Sequence, residues 1–97
     1  MKLRFTPRAI ENVSEIADYL RDRNPVAAER VRSAIYECLE NLILFPRAGR
    51  RQSVEDVRKI VTRKYSYLIY YTVDEAAEEI VVLSVKHPAR EREYSDL

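Results

Sequence analysis

The sequence predicts an α+β domain in which two helices fold back on each other and pack on one face of a small sheet, and three observations predict it. Two cap-and-proline signals, Thr6-Pro7 and Asn24-Pro25, each open a run of apolar residues at three- and four-residue spacing. Beyond Gly49 the apolar period shortens from about 3.6 to 2, the change from helix to strand. With one glycine and four prolines in 97 residues, little chain remains for long flexible connections.

Each element follows from its own residues. Leu3 and Phe5 alternate with Lys2 and Arg4, a short strand. Thr6 caps the first helix and Pro7 suits its first position, where no amide hydrogen is needed. Ile10, Val13, Ile16, Ala17 and Leu20 form its apolar stripe, with Glu11, Glu15, Asp18, Arg21 and Asp22 on the other face. Asn24-Pro25 opens a second helix whose stripe is Ala28, Val31, Ile35, Cys38, Leu39 and Leu42, and Phe45-Pro46 ends it. A joint of about two to four residues forces an antiparallel hairpin. Residues 57–62 are a strand of mixed polarity. Tyr67 to Val73 is rich in aromatic and β-branched residues. Asp74 to Glu78 is a polar turn, and Ile80 to Val85 is apolar enough for a central strand covered on both faces. The expected organisation over residues 1–97 is a strand in 1–6, the helical hairpin in 7–46, a loop in 47–56, three strands in 57–87 and a tail in 88–97. The hairpin has only the sheet on which to bury its stripe, so the opposite face of the sheet is expected to be open.

Hydrophobic residues at 46% and charged residues at 34% describe a folded chain rather than a disordered one. One cysteine excludes an intramolecular disulfide, and Met1 to Phe5 lacks the apolar core of a signal peptide. No apolar run approaches membrane-spanning length, so a cytoplasmic protein without a membrane partner is expected. Net charge is only +1, but residues 47–65 hold seven basic and two acidic side chains. Arg47, Arg50, Arg51, Arg58, Lys59, Arg63 and Lys64 would attract an anionic surface, or else protect a sheet edge from pairing. One His and one Cys far apart give no metal-ligand spacing, and the lone Gly49 makes no phosphate loop. No metal and no cofactor is expected.

Taken together, Ile16-Ala17-Asp18-Tyr19-Leu20, Asn24-Pro25-Val26-Ala27-Ala28, Leu42, Phe45-Pro46-Arg47-Ala48-Gly49, Arg58, Tyr65, Ile69-Tyr70-Tyr71 and Val85-Lys86-His87 with Arg90 resemble the RelE/ParE toxin superfamily, more its ParE branch. The likeness runs over nearly the whole chain. It implies a β-α-α-β-β-β fold with a four-stranded, mainly antiparallel sheet. It also implies a toxin of a type II toxin–antitoxin system, bound and silenced by a cognate antitoxin and touching promoter DNA only through it. ParE-like members are associated with poisoning DNA gyrase, and RelE-like members with cutting messenger RNA on the ribosome. The fold does not choose between them.

Cutting RNA needs a proton acceptor, a proton donor and cations around the phosphorane. The residues resembling that set are Arg58, Arg63, Arg90 and Tyr94, although Tyr94 lies closer to Arg90 and Arg92 than in the RelE-like enzymes. A gyrase-binding toxin needs no catalytic group. Its contact candidates are Arg58, Arg63, Lys64, Tyr65, His87, Arg90 and Arg92, and a small net charge suits it better than a ribosome-bound nuclease. A third reading is a module that only binds its antitoxin and regulates its own promoter. Arg47, Arg50, Arg51, Tyr67 and Tyr71 are the antitoxin-contact candidates. His87, placed by strand parity beside Val81, Leu83 and Val85, either plugs the end of the sheet or takes part in contact or proton transfer. Tyr67, Tyr70 and Tyr71 stack on a partner or simply favour strands; Cys38 reads as a buried small hydrophobe, and Asp18 and Tyr19 as helix surface.

Overall fold

The computed structural model describes residues 1–88. The chain runs β1 (Lys2–Phe5), α1 (Pro7–Arg23), α2 (Pro25–Leu44), β2 (Arg50–Arg51), β3 (Arg58–Val61), β4 (Leu68–Asp74) and β5 (Glu79–Lys86). The expected order therefore holds, with one strand added. The sheet has five strands in the order β1-β5-β4-β3-β2. Only β1 and β5 run parallel; the other neighbours are antiparallel. The fifth strand is β2, inside the segment expected to be all loop. It pairs Arg50 with Lys59 and Arg51 with Arg58. Two exposed arginines carry no apolar alternation, so only the backbone ladder reveals it.

Both helices start as their caps dictate. The Thr6 hydroxyl accepts from the Ala9 amide at 3.1 Å, and the Asn24 side chain accepts from the Ala27 amide at 3.1 Å. Asn24 also donates its own backbone N–H to the Leu20 carbonyl, ending α1 and capping α2 at once. The joint is thus a single residue, shorter than expected. Arg21 and Arg23 lie in the last turn of α1, where cations favour the helix dipole.

The stripes bury as periodicity requires, with one correction. Ala9, Val13, Ile16 and Leu20 face the core from α1, while Ile10 is 59% exposed. Val31, Ile35, Cys38, Leu39 and Leu42 face it from α2. They meet Tyr67, Ile69, Tyr71, Ile80, Val82 and Val85 of the sheet region, with Leu3 and Phe5 at its margin.

The opposite face is not open as expected. Val57, Leu68 and Tyr70 form a second buried cluster with Val54 and Leu83 packed against it. The loop before β3 makes this possible by folding on itself: Gln52 N–H donates to the Val57 carbonyl and Val57 N–H to the Val54 carbonyl. Central burial of β5 explains the length of its apolar run.

A β-bulge changes the parity of β5. Tyr70 pairs with Ser84 but Tyr71 with Val82, so Leu83 is an extra residue. Ile80 and Val82 face the helices before it, and Val85 does so after it. His87 consequently lies on the helix-facing side with Val85, not with Val81 and Leu83 as simple alternation places it. No helix among the described residues is long and apolar enough to cross a membrane.

Candidate functional site

The basic segment 47–65 divides between two ends of the β3–β4 hairpin. At one end, the chain leaving α2 is latched to the sheet. The Tyr71 hydroxyl donates to the Pro46 carbonyl and accepts from the Gly49 amide, both at 2.8 Å. A Cβ on Gly49 would lie 2.6 Å from that hydroxyl and 3.0 Å from the Lys59 carbonyl, so only glycine fits. Arg58 completes the latch by donating to the carbonyls of Arg47 at 3.1 Å and Gly49 at 2.8 Å. Arg47 forms an ion pair with Glu75 across the same loop. A hollow of about 350 Å³ opens here, and its walls mix Arg47, Arg51 and Arg58 with Glu55, Asp56 and Glu75. The cationic character read from the sequence is therefore partly neutralised at this end.

The other end carries the turn between β3 and β4. Arg63, Lys64, Tyr65 and Ser66 are exposed, and Tyr65 and Ser66 have φ of 67° and 54°. Beside it lies a cleft of about 500 Å³ between α1 and the end of β5, with Asn12, Glu15, Tyr19, Tyr67, Lys86 and His87 among its walls. His87 meets Tyr67 edge to face, with ring centroids 5.4 Å apart and planes at 87°. The Arg23 guanidinium stacks on Tyr19, 3.8 Å from its centroid. Burial, with Tyr19 adding to it, holds the Tyr67 phenol above its usual pKa, so it is protonated at neutral pH.

The backbone explains how α1 reaches the cleft. Strand β1 ends opposite Val82, leaving the rest of that β5 edge without a strand neighbour among the described residues. The Thr6 hydroxyl donates to the Leu83 carbonyl at 2.9 Å, and the Asn12 side-chain oxygen accepts from the Val85 amide at 3.0 Å. The helix cap and one helix residue thus continue the ladder.

Of the residues expected to contact a target, Arg63, Lys64, Tyr65 and His87 gather at the cleft end, and Arg58 does not. Three residues of strand, roughly 10 Å, separate Arg58 from Val61, and Arg63 lies further on. Arg90, Arg92 and Tyr94 lie outside the described residues, as does the rest of the tail from residue 89. Of the antitoxin-contact candidates, Arg47, Arg50 and Arg51 are exposed. Tyr71 is 0% and Tyr67 5% exposed, because odd positions of this strand face the helices. Tyr71 has no surface to offer a partner, which corrects the expectation for it; Tyr67 contributes only the edge that lines the cleft. Tyr70 is buried on the opposite face. Cys38 is buried with its free thiol, whose pKa burial and then Glu37 push up to about 11.

Sequence reasoning missed the latch and the conformation of the turn. The lone glycine, one tyrosine and one arginine at the right separations were the visible signal for the first. Nothing signalled the second, since left-handed positions usually carry Gly or Asn.

Comparison with known proteins bears on what this architecture belongs to. The relative named Putative toxin Y4kP, from Sinorhizobium fredii, is 29% identical over 86 residues, covering 89% of this chain and 86% of its own. The chromosomal ParDE TA system from P. aeruginosa shares the fold with a TM-score of 0.75 at 23% identity, over 90% of this chain and 95% of that one. The isolated E. coli RelE toxin does so with a TM-score of 0.63 at 24% identity, over 98% and 92% of the two chains. The family described as ParE toxin of type II toxin-antitoxin system, parDE, matches residues 3–92. A helical hairpin latched to a five-stranded mixed sheet, matched along almost its full length, identifies this chain as a member of the ParE toxin family of type II toxin–antitoxin systems.

Proposed function

We infer that this toxin arrests growth by binding DNA gyrase directly, and that a cognate antitoxin neutralises it. The observation that carries this reading is the match to the ParE family over residues 3–92, since gyrase poisoning is the activity associated with ParE-like chains. The geometry supports it from the chemical side. Arg58, the cation an RNA-cutting site would draw from β3, has its guanidinium engaged by the carbonyls of Arg47 and Gly49. It lies away from Arg63, so the two do not converge on one phosphate. A net charge of +1 likewise suits a protein partner better than a polyanionic one.

The antitoxin reading rests on the latch end. Leu44 and Phe45 are 71% and 65% exposed immediately before the exposed Arg47, with Arg50 and Arg51 beyond. Apolar side chains next to cations fit an amphipathic antitoxin segment with acidic flanks. The intact E. coli RelBE toxin-antitoxin complex, whose fold this chain shares at a TM-score of 0.62, pairs a toxin with an antitoxin.

Two assays on purified toxin test the target. Gyrase supercoiling should be inhibited, while message on translating ribosomes stays uncut. Cut message with normal supercoiling would replace this reading with a RelE-like endoribonuclease.

A further inference from the structure

The β3–β4 turn is built against the usual preferences of hairpins. Tyr65 and Ser66 both occupy the left-handed region, at φ of 67° and 54°. A side chain with a Cβ is strained there, and Gly or Asn is the usual occupant. Thr62 holds the turn from beneath. Only 2% exposed, it donates its hydroxyl proton to the Lys64 carbonyl at 2.6 Å and accepts from the Tyr67 amide at 2.9 Å. Its own amide donates to the Tyr67 carbonyl at 2.8 Å, closing the loop. The clamp presents Arg63, Lys64 and Tyr65 outward, with Tyr65 44% exposed. Among the described residues, the Arg63 and Lys64 side chains have no hydrogen-bond or ion-pair partner, unlike Arg47 and Arg58.

The geometry points to residues 63–66 as the surface that grips the toxin's target: a rigid cationic finger, tipped by Tyr65, that enters an acidic hollow on a protein. Thr62 is its positioning residue. Strain that persists where a less strained residue would serve is characteristic of functional segments. Tyr and Arg are the side chains that most often anchor protein interfaces, and a turn already held in shape loses little entropy on binding. Two cations on one tip, on a chain of net charge +1, make a poor track for a nucleic-acid backbone but complement a small acidic pocket. This rests on the reading that the toxin acts by binding a protein.

The full-length toxin should be compared with Arg63→Glu/Lys64→Glu, Tyr65→Asn, Thr62→Val and Thr62→Ser. Growth arrest on induction, gyrase supercoiling and thermal melting are the readouts. The double charge reversal should lose at least tenfold in potency with little change in melting. Tyr65→Asn should melt at or above the parent yet lose at least tenfold, a divergence that a scaffolding role does not produce. Thr62→Val should lose potency and Thr62→Ser should regain it. Gyrase inhibition by the parent with undiminished potency in the variants would overturn the finger and leave the gyrase reading standing. Growth arrest lost in the variants, with gyrase untouched by the parent, would do the reverse. A parent that neither arrests growth nor inhibits gyrase would remove both. Potency falling only in step with melting would reduce the turn to scaffold. A bare DNA duplex or single-stranded RNA retained by the parent but not by the charge reversal would exclude a protein partner.

Discussion

At the scale of single residues, Tyr71 carries the heaviest structural duty in the region first suspected of binding. Its hydroxyl satisfies a carbonyl and an amide of the 46–49 loop inside the core. Tyr71→Phe would leave the buried Gly49 amide and the part-buried Pro46 carbonyl without this partner, and should cost about 1–3 kcal/mol in urea unfolding. Burial, acting against the Gly49 bond and the Arg58 charge, holds this phenol above its usual pKa, so the proton it donates is kept at neutral pH. Cys38 gives a second prediction. The folded chain keeps its thiol proton up to about 11, whereas the unfolded chain releases it near 9.0. Stability from this residue is therefore complete below pH 9 and declines as pH rises from there towards 11. Urea midpoints of the parent should fall more steeply over that interval than those of Cys38→Ala. Equal slopes would contradict it.

At the scale of elements, the joint between α1 and β5 depends on Thr6, which caps the helix and donates to the Leu83 carbonyl with one hydroxyl. Thr6→Val keeps the shape and removes both bonds, so a loss of about 1–3 kcal/mol in thermal or urea unfolding is expected. The helical hairpin was legible because its signals are local: cap, proline and stripe lie within a few residues of each other. Two features were not. Strand β2 has no pattern of its own and exists through its pairing with Arg58 and Lys59. The bulge at Leu83 lies in Val81-Val82-Leu83-Ser84-Val85, where no glycine marks it, so alternation grouped His87 with Val81 and Leu83 as well as Val85, and only Val85 shares its side. Ile10 fitted the stripe by spacing, yet Ala9 takes the buried position beside it, at 0% exposure. For the candidate site, residue types were readable and their jobs were not. Arg58 and Tyr71 look like interface side chains until the carbonyls they hold are seen.

For the molecule as a whole, what matters is that the cations are parted by the hairpin between them. Arg47 rides on the loop that Tyr71 latches and Arg50 and Arg51 on strand β2 just beyond it, while Arg63 and Lys64 ride on the strained turn at the far tip. If the antitoxin covers the first group and adjoining Leu44 and Phe45, its affinity should fall as salt rises, since exposed charges are screened over about 10 Å at 0.1 M. A dissociation constant unchanged between 50 mM and 500 mM salt would place the antitoxin on a purely apolar surface instead. The first group adjoins the open end of the β3–β4 hairpin and the second sits at its tip, so an antitoxin long enough to reach from latch to tip would also shield the turn.

The extra residue in β5 has a genetic corollary. The ladder steps from Val82 to Ser84 across the partners Tyr71 and Tyr70, so loss of the Leu83 codon would let alternation run unbroken. Ser84, Val85 and the imidazole of position 87 would keep the sides they now hold, and the deletion would cost the second cluster its Leu83 contact while sparing the hollow beside α1. In this chain, one supernumerary amino acid is absorbed by the backbone and not passed on to the strand end.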